Sequence, residues 1–438
     1  MSRISSEHPV VVIGGGPIGL AAGAHLRGRG LPFLVLEAGA SAAAGVRSWG
    51  HVRLFSQWNE LVDDAAAKLL APTGWSAPAG EVYPTGSEWA EAYLQPLADG
   101  LGDALKTSYR VVAVSRQGAD VMKDTRRSER PFVLVVDTPS GQFRQLAGAV
   151  IDASGTILTP SPLGADGLPA IGEHDHAERV TSGVPDTGSA EIRSRHTGAH
   201  TLVVGAGHTA MNALLNLAAL RQGDPSTRIG WVIRGGSADA NYGGGSADQL
   251  PARGALGLRV QALVEDGVIE VHTGFETAEV TDGPDGRMTI TATGGRTIPD
   301  VDHIVRATGY RPDLSLTAEL RLDLDPGVQA PRALAPLIDP NVHSCGTVPP
   351  HGEAELAHPE PGFYTVGMKS YGRAPTFLAV TGFEQVRSVV AWLDGDDEAA
   401  REVRLVLPET GVCGGSGLNE ELTDGLPLVE QTAGGGCC

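Results

Sequence analysis

Three glycines at positions 14, 16 and 19, with a carboxylate at position 37, are the first residues of this chain whose spacing carries chemistry. Gly14 permits a tight turn, Gly16 lets backbone approach a phosphate, and Gly19 lets the helix that follows pack close to its strand. Glu37 falls about 20 residues beyond the glycines, where a carboxylate takes ribose hydroxyls. Gly205, Gly207, Ala210 and Arg234 repeat the arrangement with two changes. Alanine stands for the third glycine and is still small enough for close helix packing. Arginine stands where a carboxylate would read a free ribose hydroxyl, and a guanidinium suits a 2′-phosphate instead. The chemistry is the binding of two dinucleotides, the second of them phosphorylated.

These residues need strands and helices to hold them. Val10 to Ile13 are all apolar and β-branched, as in a buried parallel strand. A helix from Ile18 to Arg27 then turns its N-terminal amides and dipole toward a phosphate. Phe33 to Leu36 form the next strand, and residues 38–50 read as loop. Trp49, His51, Arg53, Phe55, Gln57 and Trp58 follow as a dense group of large and polar side chains. The second unit repeats this as strand 201–204, helix 211–220 and strand 229–233. Segments 111–114 and 132–137 alternate like antiparallel strands. Strand 149–153 runs into Ser154-Gly155, and strand 302–306 runs into Ala307-Thr308-Gly309. These two small-residue breaks bracket the second unit and mark two chain crossings. A strand ending in Gly367 comes next, then a helix opened by Pro375-Thr376-Phe377 and running through Trp392, and an edge strand over 401–407. The expected fold is α/β, with two Rossmann-like three-layer domains. Residues 1–160 and 305–395 make one discontinuous domain, 161–304 an inserted domain, and 396–438 a flexible C-terminal tail.

The chain has 33 basic and 52 acidic side chains, a formal net charge of −19. That balance argues against nucleic acid or an anionic membrane surface as partner. No apolar run approaches the roughly 18 residues of a membrane span. The four cysteines, Cys345, Cys413, Cys437 and Cys438, form no C-x-x-C pair. Their pattern fits a reducing cytoplasm. The α-carbons of Cys437 and Cys438 stand about 3.8 Å apart, below the roughly 4.4 Å where disulfides begin. A bond between them would be strained and easily reduced. With Cys413 they also offer soft-ion thiolates, although no firm metal site is expected.

This organisation resembles the two-dinucleotide-domain flavoproteins, which include thioredoxin reductase-like enzymes and class B flavin monooxygenases. The resemblance covers Val10 to Trp392. Residues 343–346, 369–377 and the cysteine-ended tail are similar to flavin monooxygenase-like proteins encoded in arsenic-resistance gene clusters. The resemblance implies FAD in the first unit, held by Gly14, Gly16, Pro17, Ile18, Gly19, Glu37, Ala38, Trp49, Arg53, Val112, Ala153, Gly155, Gly367 and Met368. It implies NADPH in the second, held by Gly205, Gly207, His208, Thr209, Arg234, Ala307, Thr308 and Gly309. Arg53, Gln57, Trp58, Lys369 and Tyr371 are the candidates that line the flavin. Three features depart from the pattern. No redox dithiol adjoins either glycine motif, residues 167–174 lack the F-x-G-x-x-x-H fingerprint, and Met368 stands where an Asp usually follows the late glycine. The implied activity is NADPH-dependent oxygenation of a small soft nucleophile (an N, S or As(III) centre) through a flavin peroxide. The alternative is a flavin-dependent NADPH reductase or oxidase acting on thiols or a thiophilic metal or metalloid through Cys437 and Cys438. Small-molecule substrate and molecular oxygen are the expected partners, and lookalike proteins suggest a homodimer.

Overall fold

A computed structural model describes residues 7–243, 251–342, 348–375 and 377–405 of the chain. All four cysteines, among them the thiolate candidates Cys413, Cys437 and Cys438, lie outside the described residues. The first lobe opens with β1 (Val10–Ile13), β2 (Phe33–Leu36) and β3 (Leu105–Lys106). An antiparallel layer follows, β4 (Arg110–Arg116), β5 (Phe132–Thr138) and β6 (Gly141–Ala147), and then β7 (Ala149–Asp152). The second lobe contains β8 (Val180–Ser182), β9 (His200–Val204), β10 (Arg228–Val232) and β11 (Glu270–His272). Its own antiparallel layer is β12 (Thr277–Asp282), β13 (Met288–Ala292) and β14 (Thr297–Val301), after which β15 (His303–Arg306) rejoins the lobe's sheet. Last comes β16 (Phe363–Thr365), back in the first lobe. Two parallel five-stranded sheets result, ordered β16-β7-β1-β2-β3 and β11-β10-β9-β15-β8.

Both lobes have three layers, for a reason visible along single strands. A parallel strand covered on both faces must be apolar throughout, and successive side chains point to opposite faces. Val10 and Val12 join the core beneath the helices, while Val11 and Ile13 join the core beneath β4–β6. In β9, Val203 packs under the His208–Arg221 helix, and Leu202 and Val204 pack against the β12–β14 layer. The two small-residue breaks run side by side: Ser161 N–H donates to Gly309 O at 2.9 Å and Arg311 N–H to Thr159 O at 2.9 Å.

Two expectations need correction. The last long helix spans Ala379–Asp394, so Pro375 and Phe377 precede it. Leu378 is extended (φ −106°, ψ 144°), and the Phe377 ring packs edge-on against Tyr371 at 4.9 Å. The expected edge strand from Arg401 does not form: Arg401 ends a short helix, Asp397–Arg401, and residues 402–405 are not strand. The Asp396 carboxylate accepts the Ala399 N–H and starts that helix, a local capping bond that overrides strand propensity.

Candidate dinucleotide sites

Each glycine of the first turn answers a different demand. Gly14 has φ +101°, and a Cβ there would meet Ala153 O at 2.7 Å. A Cβ at Gly19 would stand 1.9 Å from Gly14 O. Gly16 is extended (φ −78°, ψ −174°), a conformation open to any residue, and a Cβ there meets nothing within 4 Å. The protein itself therefore gives no reason for a glycine at 16, whereas an approaching phosphate does. Gly16 is also the N-cap of the Pro17–Gly28 helix and brings no side-chain acceptor to its first amides. Pro17 and Ile18 open that helix, with Ile18 buried. At the end of β2, Glu37 accepts the N–H groups of Gly15 and Gly39, each at 2.6 Å. Those bonds hold its carboxylate at the turn. Ala38 follows in the same bend, half-buried. Val112 is exposed at a β-bulge between Val111 and Ala113, and Gly155 is left-handed (φ +68°) with open space around it.

The second turn is built alike. Gly205 has φ +133°, and its Cβ would lie 2.2 Å from Ala307 O. Gly207 is extended (φ −86°, ψ −179°), caps the His208–Arg221 helix and has open space around it. Ala210 is fully buried, as close packing demands. Arg234 is exposed just beyond β10, its Nη1 donating to Ala165 O at 2.9 Å. Thr308 Oγ1 donates to Ser161 O at 2.6 Å, and Thr209 is half-buried on the helix behind the turn. The His208 ring meets the Phe55 ring edge-on at 5.2 Å, joining the first lobe to this turn. Nothing in the sequence assigns Phe55 a role, because only the fold brings it beside His208.

The flavin-lining candidates do not form one cluster. Lys369 and Tyr371 share the helical turn Gly367–Tyr371, and both are buried. Lys369 Nζ lies 2.7 Å from Asp152 Oδ2 and donates to Ser154 Oγ at 3.0 Å. Asp152 Oδ1 in turn accepts Ser154 Oγ–H at 2.6 Å. The pair is closed to solvent, with side chains 1% and 0% exposed. It sits under the first glycine turn, since Ser154 Cα crowds the Cβ position of Gly14. Burial pushes the Tyr371 phenol up, so it stays neutral. Trp58 is buried in the first-lobe core, Gln57 N–H donates to Glu60 Oε2 at 3.1 Å, and Arg53 is exposed, pinned on Tyr83 O. Trp49 is half-buried against Gly86, and Met368 is half-buried next to Lys369. Gly367 (φ +69°) donates its N–H to Gln385 Oε1 at 2.8 Å. Gln385 Nε2 donates to Ser370 Oγ and to His351 Nε2, each at 2.9 Å. Accepting at Nε2 and donating from Nδ1 to Pro349 O requires a neutral His351, and burial pushes its pKa down accordingly. The one mark Asp152 leaves in the sequence is an acid inside an otherwise apolar strand, which by itself assigns it no role; Gln385 and His351 leave none.

Both turns thus fit a bound dinucleotide pyrophosphate. Among the described residues no group of His, Cys, Asp or Glu side chains is arranged to hold a metal ion. Nor is any helix there long and apolar enough to cross a membrane. The sequence profile of the pyridine nucleotide-disulphide oxidoreductases matches residues 8–358. No curated protein sequence matches significantly. Among solved structures, a bacillithiol disulfide reductase from Bacillus cereus aligns with TM-score 0.64 and 20% identity, covering 90% of this chain and 99% of its own. The FAD-bound cadaverine monooxygenase of desferrioxamine biosynthesis from Erwinia amylovora gives 0.61 and 14%, covering 92% and 99%. A mutant flavin monooxygenase from Stenotrophomonas maltophilia gives 0.57 and 22%, covering 88% and 98%. At such identities the likeness is one of fold, and reductases and monooxygenases share it.

Proposed function

Since this chain belongs to the pyridine nucleotide-disulphide oxidoreductase family, we propose that it is an NADPH-dependent flavin monooxygenase acting on a small soft nucleophile, an N, S or As(III) centre. Membership makes it a flavin-dependent oxidoreductase that uses FAD and NAD(P)H. The observation that carries the finer reading is the chemistry around Gly14 and Gly367. A flavin-coupled disulfide reductase needs a thiolate, because the thiolate is the attacking species in exchange. Here the turn beside the first glycine motif carries the Lys369–Asp152–Ser154 cluster, and no cysteine occurs before position 345.

Bound FAD supplies acceptance of a hydride and activation of dioxygen, chemistry that belongs to the cofactor. The chain supplies the rest. Gly16 and Gly207 admit the two pyrophosphates to helix N-termini, and Glu37 takes a ribose. Arg234, carrying the charge a 2′-phosphate needs, selects NADPH over NADH. The Phe55–His208 contact holds the nicotinamide turn against the first lobe, and the buried Trp58 and Tyr371 rings keep water out of the first-lobe core. In this reading residues 1–160 with 305–395 form the FAD domain and 161–304 the NADPH domain. Dioxygen and a small molecule are the partners, in a cytoplasmic homodimer.

A second reading, a flavin-dependent NADPH reductase or oxidase acting on thiols or a thiophilic metal or metalloid, draws on the vicinal Cys437–Cys438 pair. Oxygen separates the two. With a disulfide supplied as the alternative acceptor, NADPH oxidation that still stops under argon and survives Cys437→Ser/Cys438→Ser supports the oxygenase; oxidation that continues under argon as the disulfide is reduced, and is lost in that variant, refutes it.

A further inference from the structure

A cavity of about 400 Å³ lies between the lobes, within the size range of small-molecule sites. Arg47, His51 and Ser87 form one wall, and Ser182, Pro185 and Ile192 the other. The first wall is tied to the flavin turn, because Ala43 N–H donates to Gly15 O at 2.8 Å and one helical turn, Ala44–Arg47, leads from there to the cavity. The second wall follows β8, where Ser182 is in register with Arg306 of β15, the residue before Ala307-Thr308-Gly309. One helical turn thus separates the cavity from the first nucleotide turn, and β15 separates its second wall from β9, which carries the other. The cavity lies away from Arg234, which follows β10 on the other side of β9.

The charge of Arg47 is unmatched. Its Nε donates to Ala42 O at 3.3 Å and its Nη2 to Gln95 Oε1 at 3.0 Å, both uncharged acceptors. No carboxylate among the described residues forms an ion pair with it. A guanidinium has five N–H donors in a fork that fits an oxyanion in two-point fashion. His51 Nε2 is buried without a hydrogen-bond partner on the same wall. Of the other charges at the cavity, Arg195 pairs with Glu191 at 3.2 Å, and Asp186, whose Oδ1 accepts the Gly188 N–H at 3.1 Å, stands on the wall opposite Arg47. Pro185 and Ile192 add an apolar side.

We infer that this interlobe cavity is a substrate site for a small molecule with a carboxylate or other oxyanion at one end and a short apolar segment, and that Arg47 binds the anion. The inference rests on the monooxygenase reading for the fate of that molecule, though not for its binding. Calorimetric titration of the FAD-loaded protein tests it with (phenylthio)acetate, a thioether carboxylate, against the neutral (phenylthio)acetamide. The expected result is saturable binding of the carboxylate, with the amide weaker by about tenfold or more, the loss of one charge-assisted pair. Arg47→Met brings the carboxylate down to the amide's affinity, with flavin content and the amide's own affinity unchanged. Ile192→Trp fills the cavity and weakens both probes. Equal binding of the two probes, an Arg47→Met protein that binds the carboxylate normally, displacement of the carboxylate by NADP+, or no saturation by about 10 mM overturns the assignment. Carboxylate binding that obeys these rules without oxygen-dependent NADPH oxidation leaves the site standing and removes the oxygenase reading instead.

Discussion

Gly16 and Gly19 lie one helical turn apart, yet the same substitution should act on them in opposite ways. Gly16→Ala places a methyl group in open space, so the flavin-free protein folds and melts close to flavin-free wild type while flavin retention drops. The ratio of flavin to protein absorbance, beside a melting curve, checks this. Gly19→Ala drives a methyl into Gly14 O and costs the fold itself. The Lys369–Asp152 pair gives a second residue-scale prediction. Lys369→Met leaves a buried carboxylate without its cation, a loss of about 3–5 kcal/mol for pairs of this kind. The apparent melting temperature falls sharply, and adding Asp152→Asn recovers part of it. The glycines were legible because their roles are decided within a few residues. Lys369 was legible only as a lone cation, because its partner is 217 positions away.

Buried histidines set the acid limit of several elements. His196 ends a short helix, and His358 precedes β16; burial pushes both pKa values down to about 4. Both are neutral in the native protein, whereas the unfolded chain takes up their protons below about 6.5. The unfolded state thus binds more protons as pH falls from about 6.5 toward 4, and stability declines across that window. Above it these groups add no pH dependence. A melting-temperature series should be flat from pH 7 to 8 and fall between 6.5 and 4; a curve level through pH 4.5 contradicts this. His351, also held neutral, adds to the same fall. Strands were the most legible elements, since burial on both faces writes an apolar run. The start of the last helix was not, because the Phe377–Tyr371 packing that holds Leu378 extended is tertiary. A proline near a helix start could not reveal it.

At the scale of the whole molecule, one aromatic contact links the two nucleotide units. Phe55→Ala removes the edge-on packing on His208, worth about 0.5–1.5 kcal/mol for such pairs. Flavin reduction by NADPH should slow by about two- to tenfold, with flavin content unchanged, and stopped-flow absorbance measures it. The duplicated three-layer plan was legible from two glycine motifs and two small-residue breaks. The cavity between the lobes was not, since its walls come from segments distant in the chain, residues 47–87 and 181–196. The central claim is that one polypeptide passes electrons from NADPH to FAD and then to dioxygen. Anaerobic titration with NADPH followed by admission of oxygen tests it most directly. NADPH should bleach the flavin under argon, and colour should return only with oxygen, equally in Cys437→Ser/Cys438→Ser. A flavin that stays oxidised with NADPH, or one that regains colour under argon when a disulfide is added and loses that response in the serine variant, contradicts it.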